Sequence, residues 1–573
     1  CFSYGFHCRD NVVPSLKDIA PTCQGRRLKW CDIDSNTILG SLFAHHDLDL
    51  LTCLNPEAGA HHILESFANL AASIKTSLTS SGHKTPQPEN RWFDRSCSKA
   101  HKLLLQALKK KPRNPLEITK LRLQYKKATS SRKRQLKDEA WEDLVQAARD
   151  RDGLNFWRII NNPLLAKQSP SVLAPVIGED DWVAHFSAIY GGLEPGPPTI
   201  KDSISGVVPC FHFNLLEVFT GITKLSKNKA PGLDGIPSDV YKSDPCIWAP
   251  ILLNVLNAAS AGTIPDSWTK SIIVPVFKKG DRGSPKCYRP ISLIDTVVKV
   301  LGQVLLSRLE TWASDKAVLS PFQFGFRPGL GTVDQCLNLA LIISKYTRAK
   351  DESLYLGFMD LSSAFDRVNR SKLWPILADM GVETNLIQLL KDLHGPMAAM
   401  VRLDNNGGCS RAFKLDRGVR QGCIMAPFLF TLYTNALGDS LVKVGADSPR
   451  AGSLILPILL YADDAVLISR TPRGLQSLLN AYALFMSNLD LNINCSKSHT
   501  MSLGNCLHKR RNRLNNRAFL CQDIKLQEVP SFTYLGLVFD HRNTWGPLLV
   551  SKKLLLTKTT GAVMDFCRNL GKR

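Results

Sequence analysis

The sequence lacks the marks of secreted, zinc-binding and membrane-spanning proteins. Its 16 cysteines include no Cys-x-x-Cys pair and no regular spacing, so neither a disulfide framework nor a zinc site is indicated. The adjacent histidines His45-His46 and His61-His62 lack helical metal spacing and are interpreted as ordinary surface or packing residues. No apolar run approaches the roughly 18 residues of a membrane span. The first residues lack the pattern of a signal peptide, so none is expected.

These absences indicate a compartment and narrow the choice of partner. Free thiols are typical of a reducing environment, so we expect the nucleus and the cytoplasm and no membrane partner. Acidic residues are also scarce, because 50 Asp and Glu stand against 72 Lys and Arg, a formal net charge of +22. Such a surplus favours a polyanionic partner, of which nucleic acid is the usual example.

A length of 573 residues allows roughly three to four domains. Residues 1–88 contain a helical run near His61 to Ile74 and end in a Ser/Thr/Pro-rich stretch, Thr76 to Pro88, that is typical of a linker. A second linker, Gly191 to Pro198, is expected at the end of residues 89–200.

Basic residues are concentrated between Lys102 and Lys137, where acids are nearly absent. Spaced leucines in this segment predict helices with one basic face. Such a face either binds RNA phosphates or is merely solvated, and we favour RNA binding because the surplus is nearly unbroken.

Two acidic sites lie at the ends of short apolar runs. Tyr461-Ala462-Asp463-Asp464 lies between two runs of β-forming residues, which predicts a hairpin with the acids at its tip. Because side chains alternate along a strand, we expect Asp463 to be the main ligand of a divalent cation and Asp464 to support it. Asp360 ends another apolar run and could share the cations. The alternatives are a polar turn at Asp463-Asp464 and helix N-caps at Asp360 and Asp366.

Short motifs occur in one order along roughly residues 215 to 540. Together they resemble the motifs of reverse transcriptases, and most of all those of non-LTR (LINE-type) retrotransposons. The motifs are Ala230–Pro237, Val274–Asp281, Tyr288–Leu293, Gln323–Arg327, Phe358–Asp366, Gly418–Gly422, Tyr461–Asp464, Leu491–Lys497 and Phe532–Gly536.

The resemblance implies an α+β fold of the right-hand polymerase type. Residues 201–350 would form the fingers, residues 351–505 a palm with an antiparallel sheet packed on helices, and residues 506–573 the primer grip and an incomplete thumb. Residues 89–200 would be a basic helical RNA-binding region. Residues 1–88 would be a segment following an endonuclease that is missing, so the chain resembles an internal fragment of a longer polyprotein.

The same resemblance implies a catalytic set. Asp360, Asp463 and Asp464 would bind two Mg²⁺ ions, for which Mn²⁺ could substitute. Lys497 would act as general acid toward the leaving pyrophosphate. The alternative for Lys497 is a solvated loop lysine.

Substrate-binding residues are implied in the same way. Lys278 and Arg289 would bind the incoming triphosphate, since the planar fork of arginine can bond two phosphate oxygens. Phe365 would exclude a ribose 2′-hydroxyl, and Gln421 and Gly422 would open a helix, Pro427 to Leu437, beneath the templating pair. The alternative for Lys278 is an exposed loop lysine. The alternative for Phe365 is core packing, although one ring can both pack in the core and exclude the 2′-hydroxyl.

The primer end would be held by Tyr534, Leu535 and Gly536. The implied activity is an RNA-directed DNA polymerase, a nucleotidyltransferase with an RNA template, a DNA primer and dNTPs as partners; the sequence predicts no oligomeric state. Cys423 to Pro427 departs from the acidic residue and Ser-Pro that this family often has there.

Two other functions stay open. One is a catalytically inactive, truncated remnant that only binds nucleic acid. The other is a related polymerase such as telomerase or an intron maturase, against which the non-LTR character of Ala230–Pro237 counts.

Overall fold

The computed structural model describes residues 47–80, 94–160, 177–191, 211–504 and 518–570, with short gaps at residues 56, 110–113, 151, 262–263, 350–351, 396, 404–407 and 545. Residues 81–88 and 192–198 of the two expected linkers lie outside these ranges, as do residues 110–113 of the basic segment. No described helix is both long and apolar enough to cross a membrane.

Helices dominate the N-terminal part and cover the sheets of the C-terminal part. Two 3₁₀ turns, Pro285–Cys287 and Phe365–Arg367, occur between them. The helices are Asp47–Leu54, Ala60–Ser80, Arg95–Lys109, Pro115–Arg149, Gly153–Ile160, Glu179–Tyr190, Leu215–Lys224, Ser238–Ser243, Pro245–Ser260, Asp266–Thr269, Thr296–Asp315, Thr332–Tyr346, Arg370–Asp379, Thr384–His394, Ala426–Tyr433, Leu437–Lys443, Pro472–Asn488 and Gly546–Leu570.

The helical run predicted near His61 to Ile74 is confirmed as Ala60–Ser80. This helix packs on Pro245–Ser260 and shares its core through Phe67, Leu70 and Ile74. It continues to Ser80, so the linker prediction is wrong for residues 76–80. Its apolar stripe is buried as far as Ile74.

The basic segment forms two packed helices, Arg95–Lys109 and Pro115–Arg149. Asn114 begins the longer one, because its side chain accepts hydrogen bonds from the backbone N–H groups of Leu116 and Glu117. Only Leu144 and Ala147 of its 35 residues are buried. The prediction of helices in this segment is therefore confirmed, and most of their basic side chains are exposed.

The strands are short and are numbered in chain order. They are β1 Lys270–Phe277, β2 Tyr288–Leu293, β3 Leu354–Met359, β4 Ala398–Val401, β5 Phe413–Lys414, β6 Arg450–Ala451, β7 Leu454–Ile455, β8 Ile458–Tyr461, β9 Asp464–Ser469, β10 His499–Leu503, β11 Leu520–Cys521, β12 Ile524–Lys525, β13 Gln527–Glu528, β14 Ser531–Tyr534 and β15 Leu537–Asp540.

A five-stranded sheet in the order β13-β10-β3-β9-β8 forms the centre of the molecule. Its pairs are antiparallel, as predicted, except that β13 pairs in parallel with β10. The prediction of an antiparallel sheet is therefore wrong at this edge. Every residue of β3 is buried, and successive residues face opposite cores, so both faces of the strand are covered.

Helices cover the two faces of this sheet. Helix Pro472–Asn488 packs against β3 and β9 on one face. Helix Thr332–Tyr346 contacts β8 and belongs with the β14–β15 hairpin to the core of the other face. The strand ends that carry the acids are thus held rigidly.

A second sheet has the order β2-β1-β4-β5, with β1 and β4 parallel. Strands β4 and β5 come from the range expected to form the palm, yet they pair in the sheet of β1 and β2. Helix Glu179–Tyr190 packs on this sheet with Trp182, Phe186 and Tyr190. The sheet connects the two ranges that were expected to form fingers and palm.

Candidate active site

Three carboxylates meet at the end of the central sheet. The β3–β9 register pairs Met359 with Ala465, so the next residues along the two strands, Asp360 and Asp464, lie opposite each other. Asp463 occupies the two-residue turn between β8 and β9. The hairpin prediction is confirmed. The N-cap alternative for Asp360 is wrong, because the next α-helix begins only at Arg370.

The turn that carries Asp463 is held from behind by Gln323. Ala462 has a φ of 58°, which is uncommon for a residue with a side chain. The Gln323 side chain, which is 2% exposed, accepts a hydrogen bond from the Ala462 N–H at 3.0 Å and donates one to the Ala462 carbonyl at 3.3 Å. A Cβ on Gly325 would collide with the backbone N of Ala462. These contacts fix the turn.

Burial and neighbouring carboxylates raise the pKa of Asp463 and that of Asp464. Burial, and then the charges of Asp463 and Asp360, raise the pKa of Asp464 to about 6. Burial is also the main cause of a raised pKa at Asp463, to which Asp360 adds, while Lys278 and Arg289 lower it. Mutual repulsion of this kind indicates a site built to receive positive charge.

Three basic side chains surround the acids. Lys278 follows β1, with its N–H bonded to the Cys287 carbonyl at 2.9 Å, and Arg289 lies on β2 opposite Val276. Burial, Arg289 and Lys497 lower the pKa of Lys278, while Asp360 acts in the opposite direction. The Lys497 Nζ lies 3.8 Å from the Asp360 Oδ2. The structure therefore brings the predicted cations and acids together.

The acids suit a hard divalent cation by their chemistry. The Oδ2 of Asp360 is buried and has no hydrogen-bond partner in the described part of the chain, and carboxylate oxygens are the preferred ligands of Mg²⁺. The three acids are spread more widely than a compact ligand cluster. Among the described residues, only the exposed group His61, His62 and Glu65 has ligand atoms all within 4.8 Å of one another.

The predicted gate residue, Phe365, belongs to the 3₁₀ turn Phe365–Arg367. Its half-buried ring lies 5.0 Å, between centroids, from that of Phe430, so core packing is confirmed for it. The Val419 N–H donates to the Phe365 carbonyl at 2.9 Å, and the Gly418 N–H donates to the Val368 carbonyl at 2.7 Å. The turn and the Gly418–Gly422 segment form one unit.

Gln421 and Gly422 continue this unit toward the sheet of β1 and β2. The Ser292 N–H donates to the Gln421 carbonyl at 2.6 Å. Gly422 has a φ of 118°, and a Cβ there would collide with the Ser292 carbonyl oxygen, so glycine is required. The predicted helix follows, as Ala426–Tyr433, and ends four residues before the predicted Leu437. Thr434 to Ala436 then lead into a separate helix.

Asp366 is not a helix N-cap, so that alternative is wrong for it. Its carboxyl is 1% exposed and accepts hydrogen bonds from Tyr190 and Gln421. The following helix is instead capped by Asn369, whose side chain accepts from the Ser371 N–H. The sequence had not indicated Tyr190, and it had indicated Gln323 only as the first residue of the motif Gln323–Arg327, because a single polar residue carries no periodic signal that reveals its partner.

The predicted primer grip is a tight turn between β14 and β15. Leu535 and Gly536 have φ values of 47° and 85°, and Tyr534 pairs with Leu537 across the turn. The Tyr534 ring is 3% exposed and lies in the core beside Phe358. Of these three residues, Leu535 is half-buried and Gly536 is exposed.

Comparisons with known proteins find relatives of this chain. Residues 276–539 match the family model described as reverse transcriptase (RNA-dependent DNA polymerase). The chain is 27% identical over 361 residues to the Retrovirus-related Pol polyprotein from type-2 retrotransposable element R2DM of Drosophila melanogaster, covering 60% of this chain and 32% of that protein. It is 28% identical over 352 residues to the Probable RNA-directed DNA polymerase from transposon BS of the same fly, covering 60% and 37%.

A third relative is the Probable RNA-directed DNA polymerase from transposon X-element of Drosophila melanogaster, 27% identical over 367 residues, covering 62% of this chain and 38% of that protein. The matches thus span about a third of the length of these relatives. Among solved structures, apo telomerase from Candida tropicalis matches with a TM-score of 0.33 and 13% identity, covering 49% of this chain and 55% of that one.

The chain therefore contains a reverse transcriptase domain. This domain is related to those of the non-LTR retrotransposons R2, jockey and X-element, at 24% to 27% identity. The resemblance read from the motifs is confirmed.

Proposed function

We propose that this protein is an RNA-directed DNA polymerase that extends a DNA primer on an RNA template by two-metal nucleotidyl transfer. One observation carries the proposal. Asp360 and Asp464 lie opposite each other beside the turn of Asp463, and Lys278 and Lys497 interact with the same acids. Carboxylates and cations that share one site suit a reaction in which a triphosphate is cleaved.

Asp360, Asp463 and Asp464 would hold two Mg²⁺ ions, or Mn²⁺ in their place. When bound, such ions activate a 3′-hydroxyl and stabilise the leaving oxygen. The acids themselves are kept in place by the rigid sheet and by Gln323 behind the turn. A fixed arrangement matters because phosphoryl transfer depends mainly on position and on charge neutralisation.

The basic residues would bind and protonate the phosphates. Arg289 offers a planar fork to two phosphate oxygens, and Lys278 adds a point charge. Lys497, whose side chain is 55% exposed, would hold a proton at Nζ for the pyrophosphate that leaves.

Phe365 would select deoxynucleotides by its bulk. Its ring rests on Phe430, so it could not swing away from a ribose 2′-hydroxyl without losing that contact. Deoxynucleotide selection therefore depends on the packing of the Phe365 turn.

The exposed basic face of Pro115–Arg149 would bind the phosphates of the RNA template. We also propose that the protein is present in both the nucleus and the cytoplasm, and that it acts on DNA in the nucleus. Phosphate contacts of this kind make binding strongly salt-dependent.

Primer extension tests the proposal. A DNA primer on an RNA template is incubated with dNTPs and Mg²⁺, using wild-type protein, Asp463→Ala and the control Asp379→Ala. Asp379 is an exposed acid at the end of helix Arg370–Asp379. We expect extension by wild type and Asp379→Ala and none by Asp463→Ala.

The alternative function predicts another outcome. If all three proteins are inert while RNA is still bound with an affinity that falls steeply with salt, the protein is a nucleic-acid-binding remnant. If rNTPs are incorporated as readily as dNTPs, the role of Phe365 as gate is wrong.

A further inference from the structure

A buried chain of hydrogen bonds joins three side chains that are far apart in sequence. The Tyr190 hydroxyl donates to the Asp366 Oδ1 at 2.7 Å, and the Gln421 Nε2 donates to the Asp366 Oδ2 at 2.9 Å. Tyr190 and Asp366 are 2% and 1% exposed. A buried carboxyl is costly unless its oxygens are bonded, and here each oxygen has one partner.

Tyr190 is anchored to the polymerase unit by its backbone as well. It ends helix Glu179–Tyr190, upstream of the residues matched by the reverse transcriptase family. Its carbonyl accepts hydrogen bonds from the N–H groups of Asp416 and Arg417, at 3.1 and 3.2 Å. These residues directly precede Gly418. The end of the helix is therefore fixed to the residues that lead into the Gly418–Gly422 segment.

The hydrogen bond to Asp366 determines which way the Gln421 amide faces. An ionised carboxylate only accepts hydrogen bonds, so it selects the NH₂ group of the amide. The carbonyl oxygen Oε1 is then the amide atom that remains for a ligand. Without Asp366 the amide could rotate and present NH₂ instead.

We propose that Tyr190 and Asp366 are positioning residues that turn the carbonyl oxygen of Gln421 toward the incoming nucleotide and hold the Phe365 turn beside it. This proposal rests on the polymerase function proposed above. It assigns a part in nucleotide binding to a helix that lies outside the matched reverse transcriptase segment.

Two variants isolate the hydrogen bonds. Tyr190→Phe removes one hydroxyl and keeps the ring in its core. Asp366→Asn keeps an acceptor for Tyr190 but places NH₂ against the Gln421 amide, which must then rotate. The double variant Asp366→Asn with Gln421→Glu reverses donor and acceptor and restores an oxygen that faces the nucleotide, with the charge of the pair unchanged.

The matched control is Tyr433→Phe. The Tyr433 hydroxyl is also buried and donates to a backbone carbonyl, that of Leu489, at 2.6 Å. This variant loses a comparable hydrogen bond that touches neither Asp366 nor Gln421. It shows how much of any effect is a general loss of stability.

The experiment measures dNTP binding and turnover separately, at about pH 8.5, where the Asp366 carboxyl is ionised. The dissociation constant of the dNTP is measured with a dideoxy-terminated primer on an RNA template, and KM and kcat with an extendable primer. We expect Tyr190→Phe and Asp366→Asn to raise the dissociation constant and KM about fivefold or more. We expect kcat to change by less than about twofold.

The control and the double variant complete the expected pattern. Tyr433→Phe should leave the dissociation constant unchanged, and the double variant should recover much of the binding lost in Asp366→Asn. Unchanged dNTP binding in Tyr190→Phe and Asp366→Asn would overturn the proposal, as would an equal loss in Tyr433→Phe.

Failure of the polymerase function gives a separate result. If wild type binds the dNTP but does not extend the primer, the polymerase proposal fails, and the positioning proposal is judged on the dissociation constants alone. If wild type binds no dNTP, both proposals are wrong.

Discussion

Adding a single methyl group at Gly418 should reduce both the stability of the fold and the rate of dNTP incorporation. It has a φ of 88°, and a Cβ there would lie 2.6 Å from the Asp366 carbonyl oxygen and 3.0 Å from the Asp366 Cα. In Gly418→Ala the positive φ costs about 1–2 kcal/mol. Relief of the backbone collision adds roughly 1–3 kcal/mol. The methyl group should also displace the turn that carries Phe365.

Gly445→Ala is the matched control for backbone strain. Gly445 has a φ of 69° with nothing within 4 Å of its Cβ position, so this variant should lose only the first of the two contributions. We compare the urea midpoint of unfolding and kcat/KM for dNTP incorporation. Gly418→Ala should have the lower midpoint and at least about tenfold lower kcat/KM, and Gly445→Ala should stay within about twofold of wild type. Equal behaviour of the two variants would refute the close contact between Gly418 and Asp366.

Three further predictions concern pH and salt. Burial raises the pKa of Asp366 from 3.8 to about 7; since the native state then binds the proton more tightly than the unfolded state, stability should fall as pH rises from about 4 to 7. The free energy of unfolding of wild type should therefore fall by up to about 4 kcal/mol over this pH range, and in Asp366→Asn this fall should be absent, as measured by urea unfolding at several pH values. Because the pKa of Asp464 is raised to about 6, protons compete with Mg²⁺, so the Mg²⁺ concentration for half-maximal extension should rise when the pH is lowered from about 7.5 to 5.5. A double substitution of the exposed Lys126 and Lys127 by alanine should reduce the slope of log affinity for RNA against log salt by about 1–2, whereas an unchanged slope would argue against phosphate contacts at these residues.

The acidic strand ends could be predicted because the strands are unusually apolar. Buried strands such as β3 have side chains in two cores, so in the sequence they are continuous apolar runs that end at the first charged residue. The end of one such run indicated Asp360, and the polar residues between two others indicated Asp463 and Asp464. The pairing of Asp360 with Asp464 required the register, which the sequence alone does not specify.

The contacts that hold the site could not be predicted. Tyr190 meets Asp366 across 176 residues of chain, and Gln323 meets Ala462 across 139. Polar residues that act through one or two long-range hydrogen bonds leave no periodic pattern. Only the folded backbone brings them together.

For Tyr534 the sequence predicted the turn but not the burial of the side chain. The motif Phe532–Gly536 suggested contact with a primer, but the Tyr534 ring lies in the core on the face of the sheet that also holds Phe358. The order of motifs identifies a turn, and burial decides which of its side chains can reach a ligand.

We propose above that Asp360, Asp463 and Asp464 form a metal-dependent nucleotidyl-transfer site. The most direct test is the rate of single-nucleotide addition to a DNA primer on an RNA template, with and without Mg²⁺, by wild type and by Asp360→Asn. We expect addition that requires Mg²⁺ in wild type and a loss of at least about a thousandfold in Asp360→Asn. Equal rates in the two proteins, or addition by wild type without a divalent ion, would contradict it.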